Sequence, residues 1–196
     1  MPLSREPPMQ LLEKIKPLWS GRAARDRHIL VINGHPDPAP ERFCSALCDA
    51  YEDGAEEAGW TVKRLTVGQL NLGESHEKAL EDMGWATQLI VVYPLWLDQP
   101  PAQLRDLFEE HLMRNQRDGG GVSNKPVHLV ITMDMPAFLY RAMLQCEIDV
   151  KGLARGMTLP GFRHQHQDFI GSITSITPEQ RNHWLKMMHI SGLRAA

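Results

Sequence analysis

His28-Ile29-Leu30-Val31-Ile32 runs directly into Asn33-Gly34-His35-Pro36-Asp37-Pro38, and Arg42-Phe43-Cys44-Ser45-Ala46-Leu47 follows shortly after. An apolar run ends in a Gly/Pro-rich loop, and the loop feeds a helix. Phe43, Ala46, Leu47, Ala50 and Tyr51 recur at i, i+3, i+4, i+7 and i+8, one apolar stripe between about Phe43 and Ala58. A strand-loop-helix junction of this kind directs backbone N–H groups at one spot. A phosphate there is favoured by unpaired amides and by the positive end of the helix dipole. The junction therefore suggests a nucleotide-type cofactor.

Working outward, strand and helix signals alternate. Thr61 to Thr66 reads as a second strand, with β-branched residues and partial alternation. A polar helix is expected over Ser75 to Ala86. Leu89-Ile90-Val91-Val92-Tyr93 is a third strand, continuous enough to be covered on both faces. Pro100 and Pro101 open a third helix carrying Leu104, Leu107, Phe108, His111 and Leu112 at helical spacing. Val127 to Thr132 is a fourth strand, roughly Ala137 to Leu153 a fourth helix, and a last strand falls between Phe162 and Ile170. Thr177-Pro178-Glu179-Gln180 reads as an N-cap, a proline at the first helical position and a capping-box glutamine. Such alternation argues for an α/β fold, a parallel sheet with helices on both faces. Its ligands sit beyond the carboxyl ends of the strands, near the switch point. Gly34–Glu41, Pro94–Gln99 and Met133–Pro136 each follow a strand and converge there.

The bulk numbers narrow the class. At 196 residues, 42% hydrophobic and 23% charged, the chain is most simply one globular domain, residues 28–196, preceded by an extension over residues 1–27 rich in proline and charge. That extension is read either as a mobile arm or as a short amphipathic helix packing on this subunit or a neighbour. A net charge of −3 carries no basic field for nucleic acid. No apolar run reaches the length of a membrane span. Three cysteines, Cys44, Cys48 and Cys146, lack metal-type spacing and suit a reducing, cytoplasmic setting.

His-Pro, a short proline-containing spacer and Phe-Cys-Ser-Ala-Leu resemble the phosphate loop of the flavodoxin-like NAD(P)H:quinone oxidoreductases. Tyr93-Pro94-Leu95-Trp96-Leu97 followed by Pro101-Ala102-Gln103-Leu104-Arg105 is similar to that family's Pro-Leu-Trp-Trp … Pro-Ala-x-Leu-Lys pattern. The run Met133-Asp134-Met135-Pro136-Ala137-Phe138-Leu139-Tyr140-Arg141 looks like that of its divergent members. The resemblance implies a flavodoxin-like three-layer sandwich, a five-stranded parallel sheet of order 2-1-3-4-5. It implies bound FMN, with FAD possible, and NAD(P)H as co-substrate. His35, Arg42, Phe43, Cys44 and Ala46 would surround the flavin phosphate. Pro94, Leu95, Trp96 and Leu97 would meet the ring, and Thr132, Met133 and Asp134 would line the third loop. Tyr140 would be the catalytic candidate, hydrogen-bonding the acceptor or the developing charge.

The implied activity is ping-pong hydride transfer from NAD(P)H through the flavin to a quinone or similar small electrophile, in a homodimer. The alternative is a flavodoxin-like regulatory or accessory binding module with little or no turnover. It is suggested by the lack of glycines after the fourth strand, where the family carries Thr-Thr-Gly-Gly, and by a shortened segment after the third helix. His164, His166 and Asp168 alternate on one expected strand and share a face. A polar, solvent-facing edge accounts for them, and no metal site is expected.

Overall fold

The computed structural model describes residues 27–70, 73–96, 99–145 and 159–195, without the side chains of residues 141, 143–145 and 164. The expected extension therefore lies outside the described residues apart from residue 27, as do Leu97 and the second half of the expected fourth helix. Among the described residues there are five strands: β1 His28–Asn33, β2 Thr61–Thr66, β3 Gln88–Pro94, β4 Ser123–Thr132 and β5 Phe162–Ile170. All neighbours pair in parallel in the order β2-β1-β3-β4-β5, as the resemblance implies. Among the described residues, α-helices α1 Phe43–Glu57, α2 Glu74–Trp85, α3 Ala102–Arg117, α4 Ala137–Gln145 and α5 Pro178–Arg194 connect or follow them. No helix among the described residues is long and apolar enough to cross a membrane.

The two-residue period of the strands divides the core in two. Leu30, Ile32, Leu89, Val91, Tyr93, Leu129 and Ile131 face α2, α3 and α4, meeting Leu80, Met83, Leu104, Phe108 and Tyr140. Ile29, Val31, Ile90, Val92, Val130 and Ile170 face α1 and α5, meeting Leu47, Cys48, Tyr51 and Met188. β3 is central and covered on both faces, so every one of its residues is buried. This is the burial that an uninterrupted apolar run requires.

Strand four is longer than the sequence pattern gives it. β3 pairs with β4 only from Val127 onward, so Ser123–Pro126 continue alone against β5, with a register irregularity between Ser123 and Pro126. Proline is tolerated there because one side of the strand has no ladder to complete. α5 starts as expected. Gln180 N–H donates to Thr177 Oγ1 at 3.3 Å, and the Thr177 N–H donates to Gln180 Oε1 at 2.9 Å, a complete capping box with Pro178 in the first turn.

α1 and α5 cross at glycines. A Cβ added to Gly54 would lie 2.1 Å from the His189 carbonyl oxygen, and one on Gly192 would lie 2.2 Å from that of Tyr51. Backbone meets backbone, so no side chain can relax to make room. Gly192→Val is expected to lower stability by about 2 kcal/mol or more. Gly84→Ala, where an added Cβ meets nothing within 4 Å, is expected to raise stability by about 0.5–1 kcal/mol. Urea midpoints of the two variants against the parent chain check both signs.

Candidate functional site

At the end of β1 the chain must turn across β3 to reach α1. Gly34 N–H donates to Val92 O at 2.8 Å, tying the loop to the neighbouring strand. A Cβ on Gly34 would stand 2.8 Å from Leu104 Cδ2 and 2.9 Å from Tyr93 Cβ, so only glycine allows this approach. Buried Asn33 accepts from His35 N–H at 3.1 Å, and the chain then folds on itself. Burial pushes the His35 imidazole down from its ordinary value, only partly countered by its backbone hydrogen bond at Asp37. Its Nδ1 lies 2.9 Å from the Asp37 carbonyl oxygen and 3.0 Å from the Asp37 N–H, so it donates to the first or accepts from the second according to tautomer.

Arg42 is the N-cap residue of α1, and no side chain caps the helix. Its guanidinium forms an ion pair with Asp37, with Nε donating to Oδ2 at 2.8 Å. That bond holds the Asp37 carboxyl below the usual carboxylate range. A cation at a helix N-terminus is unfavourable, and Asp37 offsets it within the loop. With no acidic side chain in the first turn of α1, the Phe43 and Cys44 amides are left for an anion. The Ala46 N–H already bonds to Arg42 O at 3.3 Å.

The second wall follows β3. Pro94 and Leu95 are buried, while Trp96 is 53% exposed and meets His35 edge-on with ring centroids 6.0 Å apart. The Leu95 N–H donates to Thr132 O at 2.8 Å. Trp96 and Gln99 exchange both backbone bonds, at 3.0 and 2.9 Å. These two amides are therefore committed inside the protein rather than turned to the cleft. The third wall follows β4, where the Thr132 hydroxyl lies 3.6 Å from Cys44 Sγ and joins the first loop to the third. Met133 is buried and Asp134 exposed.

These walls enclose a cleft of about 260 Å³ at the carboxyl ends of β1, β3 and β4. His35, Arg42, Phe43, Cys44, Pro94, Leu95, Trp96, Thr132, Met133 and Asp134 all line it. Ala46 does not. Tyr140 does not either: it is 1% exposed and packs on Phe169 with centroids 5.7 Å apart. Glu41, Ile173 and Arg181 line the cleft as well. Sequence reasoning missed the last two because they arrive on the segment after β5 and on α5. Arg181 stacks over the Phe43 ring, Cζ 4.6 Å from its centroid. It is the first cation after the capping box that the sequence already shows, and that is the signal that could have found it.

A parallel sheet of order 2-1-3-4-5 with a cleft at the β1/β3 switch point is the arrangement of one fold family, and a sequence profile described as "Flavodoxin-like fold" matches residues 27–164. The chain belongs to this flavodoxin-like family. Among curated proteins none matches significantly. Among solved structures, this flavodoxin-like protein is similar to an NAD(P)H:quinone oxidoreductase from Methanothermobacter marburgensis, at a TM-score of 0.67 and 16% identity over 86% of this chain and 95% of that one. It is also similar to an FMN-dependent NADH-azoreductase from Bacillus anthracis in complex with FMN, at a TM-score of 0.61 and 13% identity over 87% and 99% of the two chains. An azoreductase from the same species gives a TM-score of 0.58 and 17% identity over 86% and 98%. The architecture is retained while the sequence has diverged widely.

Cys44 and Cys48 are buried and unbridged. Burial pushes the Cys44 thiol up to about 11 and raises Cys48 further from reactivity, whereas an unfolded cysteine titrates near 8.5. In the native protein at pH 8 both are expected to resist alkylation by iodoacetamide, and both are expected to react in urea. Peptide mapping by mass spectrometry distinguishes these outcomes.

Proposed function

We propose that this flavodoxin-like protein is a flavin-dependent NAD(P)H oxidoreductase that holds FMN in the cleft and reduces quinones or similar small electrophiles in a ping-pong cycle. The observation that carries the reading is the pairing of an uncapped helix N-terminus with an apolar wall across one cleft at the switch point. The solved neighbours titled as quinone oxidoreductase and FMN-dependent azoreductase support it. When bound, the flavin supplies the chemistry, accepting a hydride from the nicotinamide and passing it to the acceptor.

The chain's own residues divide the work by chemistry. The Phe43 and Cys44 amides and the Arg181 guanidinium would hold the phosphate, with the His35 imidazole beside them on the cleft wall. Pro94, Leu95 and Trp96 would meet the flat ring and exclude water from it, with Met133 and Thr132 along its edge. Arg42 would position rather than bind, because its fork is engaged by Asp37. Tyr140 would act through packing beneath the cleft floor, since it is buried. The cleft falls short of the roughly 300–1,000 Å³ typical of pockets that bury a whole ligand. Trp96 lines the cleft at 53% exposure, and Phe138, in the first turn of α4 after the third loop, is 70% exposed. A second copy of the chain would cover them, which supports a homodimer.

The module reading is favoured by one observation, the commitment of the Leu95 and Trp96 amides to internal bonds. The spectrum of the purified chain separates the two. Yellow protein that NADPH bleaches and a quinone reoxidises supports the enzyme, and colourless protein that gains no flavin on titration supports the module. For the phosphate assignment, Arg181→Ala is expected to weaken FMN binding roughly 5- to 30-fold, the loss of a partly exposed charge-assisted bond. Riboflavin affinity should stay unchanged. Equal weakening of both ligands, followed by flavin fluorescence, would refute it.

A further inference from the structure

β4 and β5 carry a second constellation, separate from the cleft. In their ladder His128 stands opposite His166, and Asp168 follows two residues along the same strand. Positions two apart share a face, so all three side chains project to the side of the sheet that holds Val130 and Ile170. His128 Nε2 lies 2.9 Å from Asp168 Oδ2, and His166 Nε2 lies 3.8 Å from the same oxygen. The three candidate ligand atoms are all within 4.8 Å of one another. The geometry points to a binding site for a divalent transition-metal cation of the zinc class, held by His128, His166 and Asp168.

The chemistry of the set fits such an ion. Two imidazoles and a carboxylate suit zinc and its neighbours, whereas calcium and magnesium take oxygen donors. With metal–ligand bonds of about 2.0–2.1 Å, tetrahedral ligands stand about 3.3 Å apart. The two measured separations bracket that value. His128 is buried and fixed, while the His166 side chain is 73% exposed and free to turn onto an ion. Its exposure also leaves the fourth position to water. A polar, solvent-facing edge would not explain why a buried histidine from the inner strand β4 joins two residues of the outer strand.

The support around the ligands is thin. His128 Nδ1 is buried with no hydrogen-bond partner among the described residues, although ligating histidines usually donate that proton to a second group. Affinity is therefore expected to be roughly 10- to 100-fold below that of a site with such a partner. The bound ion would clamp the outermost strand of the described sheet onto its neighbour, an edge that proteins commonly protect. Asp168 and His128 precede the strand ends Ile170 and Thr132 by two and four residues. At about 3.3 Å per residue they lie roughly 7–13 Å below the cleft. The site therefore stands independently of any flavin reading.

The test uses the full chain dialysed against EDTA and titrated with zinc chloride in a calorimeter, with cobalt(II) as a spectroscopic probe. One zinc per chain is expected, a visible d–d spectrum with cobalt, and a higher melting temperature in zinc. His166→Ala and Asp168→Asn should each weaken zinc binding by about 100-fold or more, beyond the roughly 10- to 100-fold that loss of a supporting second-sphere group costs. Both side chains are exposed enough that folding should survive, and far-ultraviolet circular dichroism checks this. His76→Ala, at the separate pair with Glu110, should leave binding unchanged. Absence of stoichiometric binding, or binding that His166→Ala leaves intact, would overturn the assignment.

Discussion

Gly34 sets the geometry on which the cleft depends. Its N–H is bonded to Val92 O, and its missing Cβ lets the chain pass between Tyr93 and Leu104 as it leaves β1. Any side chain there would push the loop away from β3, and α1 would start elsewhere. The position of α1 in turn brings Cys44 within 3.6 Å of Thr132 at the end of β4. One backbone contact thus coordinates three strand ends. It also sets the direction in which the first amides of α1 point, and hence where an anion can be held.

The charges around that opening are arranged so that the protein remains folded without an anion. Arg42 at the start of α1 would repel the helix dipole if it stood alone, and Asp37 five residues earlier removes the penalty. The cation left facing the cleft is Arg181, steadied over Phe43 by a cation–π contact worth about 0.5–1 kcal/mol. It comes from the last helix, where the capping box fixes the first turn and with it the side chain's location. The glycine crossing of α5 over α1 holds this cation close to Phe43 at the N-terminus of α1. Packing on one side of the sheet therefore determines electrostatics at its rim.

The strands and helices were legible because burial imposes periodicity. β3 is covered on both faces and reads as an unbroken apolar run, and α1 shows a single stripe. The three cleft loops were legible because each follows a strand at the same end of a parallel sheet. What stayed hidden depends on contacts between distant segments. Arg42 looks like a phosphate ligand until the loop folds Asp37 back onto it. Tyr140 has family-like spacing, yet the turn of α4 carries it down onto Phe169. Arg181 reaches the cleft because α5 returns over α1, and Ile173 because its N–H bonds to Met133 O at 3.2 Å. His166 and Asp168 were visible as an alternating pair, but their neighbour His128 lies on another strand and is fixed only by ladder register.

Commitment of the Leu95 and Trp96 amides redistributes the binding energy that a flavin would draw on. With those donors bonded to Thr132 and Gln99, Pro94, Leu95 and Trp96 offer apolar surface in place of hydrogen bonds. Covering about 100 Å² of ring contributes roughly 2.5 kcal/mol. Hydrogen bonds to a charged phosphate contribute about 1.5–3 kcal/mol each, before solvent screening. Two amides and one guanidinium at the α1 terminus can therefore outweigh the ring wall, so the phosphate end would anchor the cofactor. The ring would then rest against Trp96 on a side open to solvent, where an acceptor can approach and a second subunit can close over it. Under the proposed function, such a cleft would select its cofactor by the phosphate and leave the choice of acceptor to whatever completes the open side.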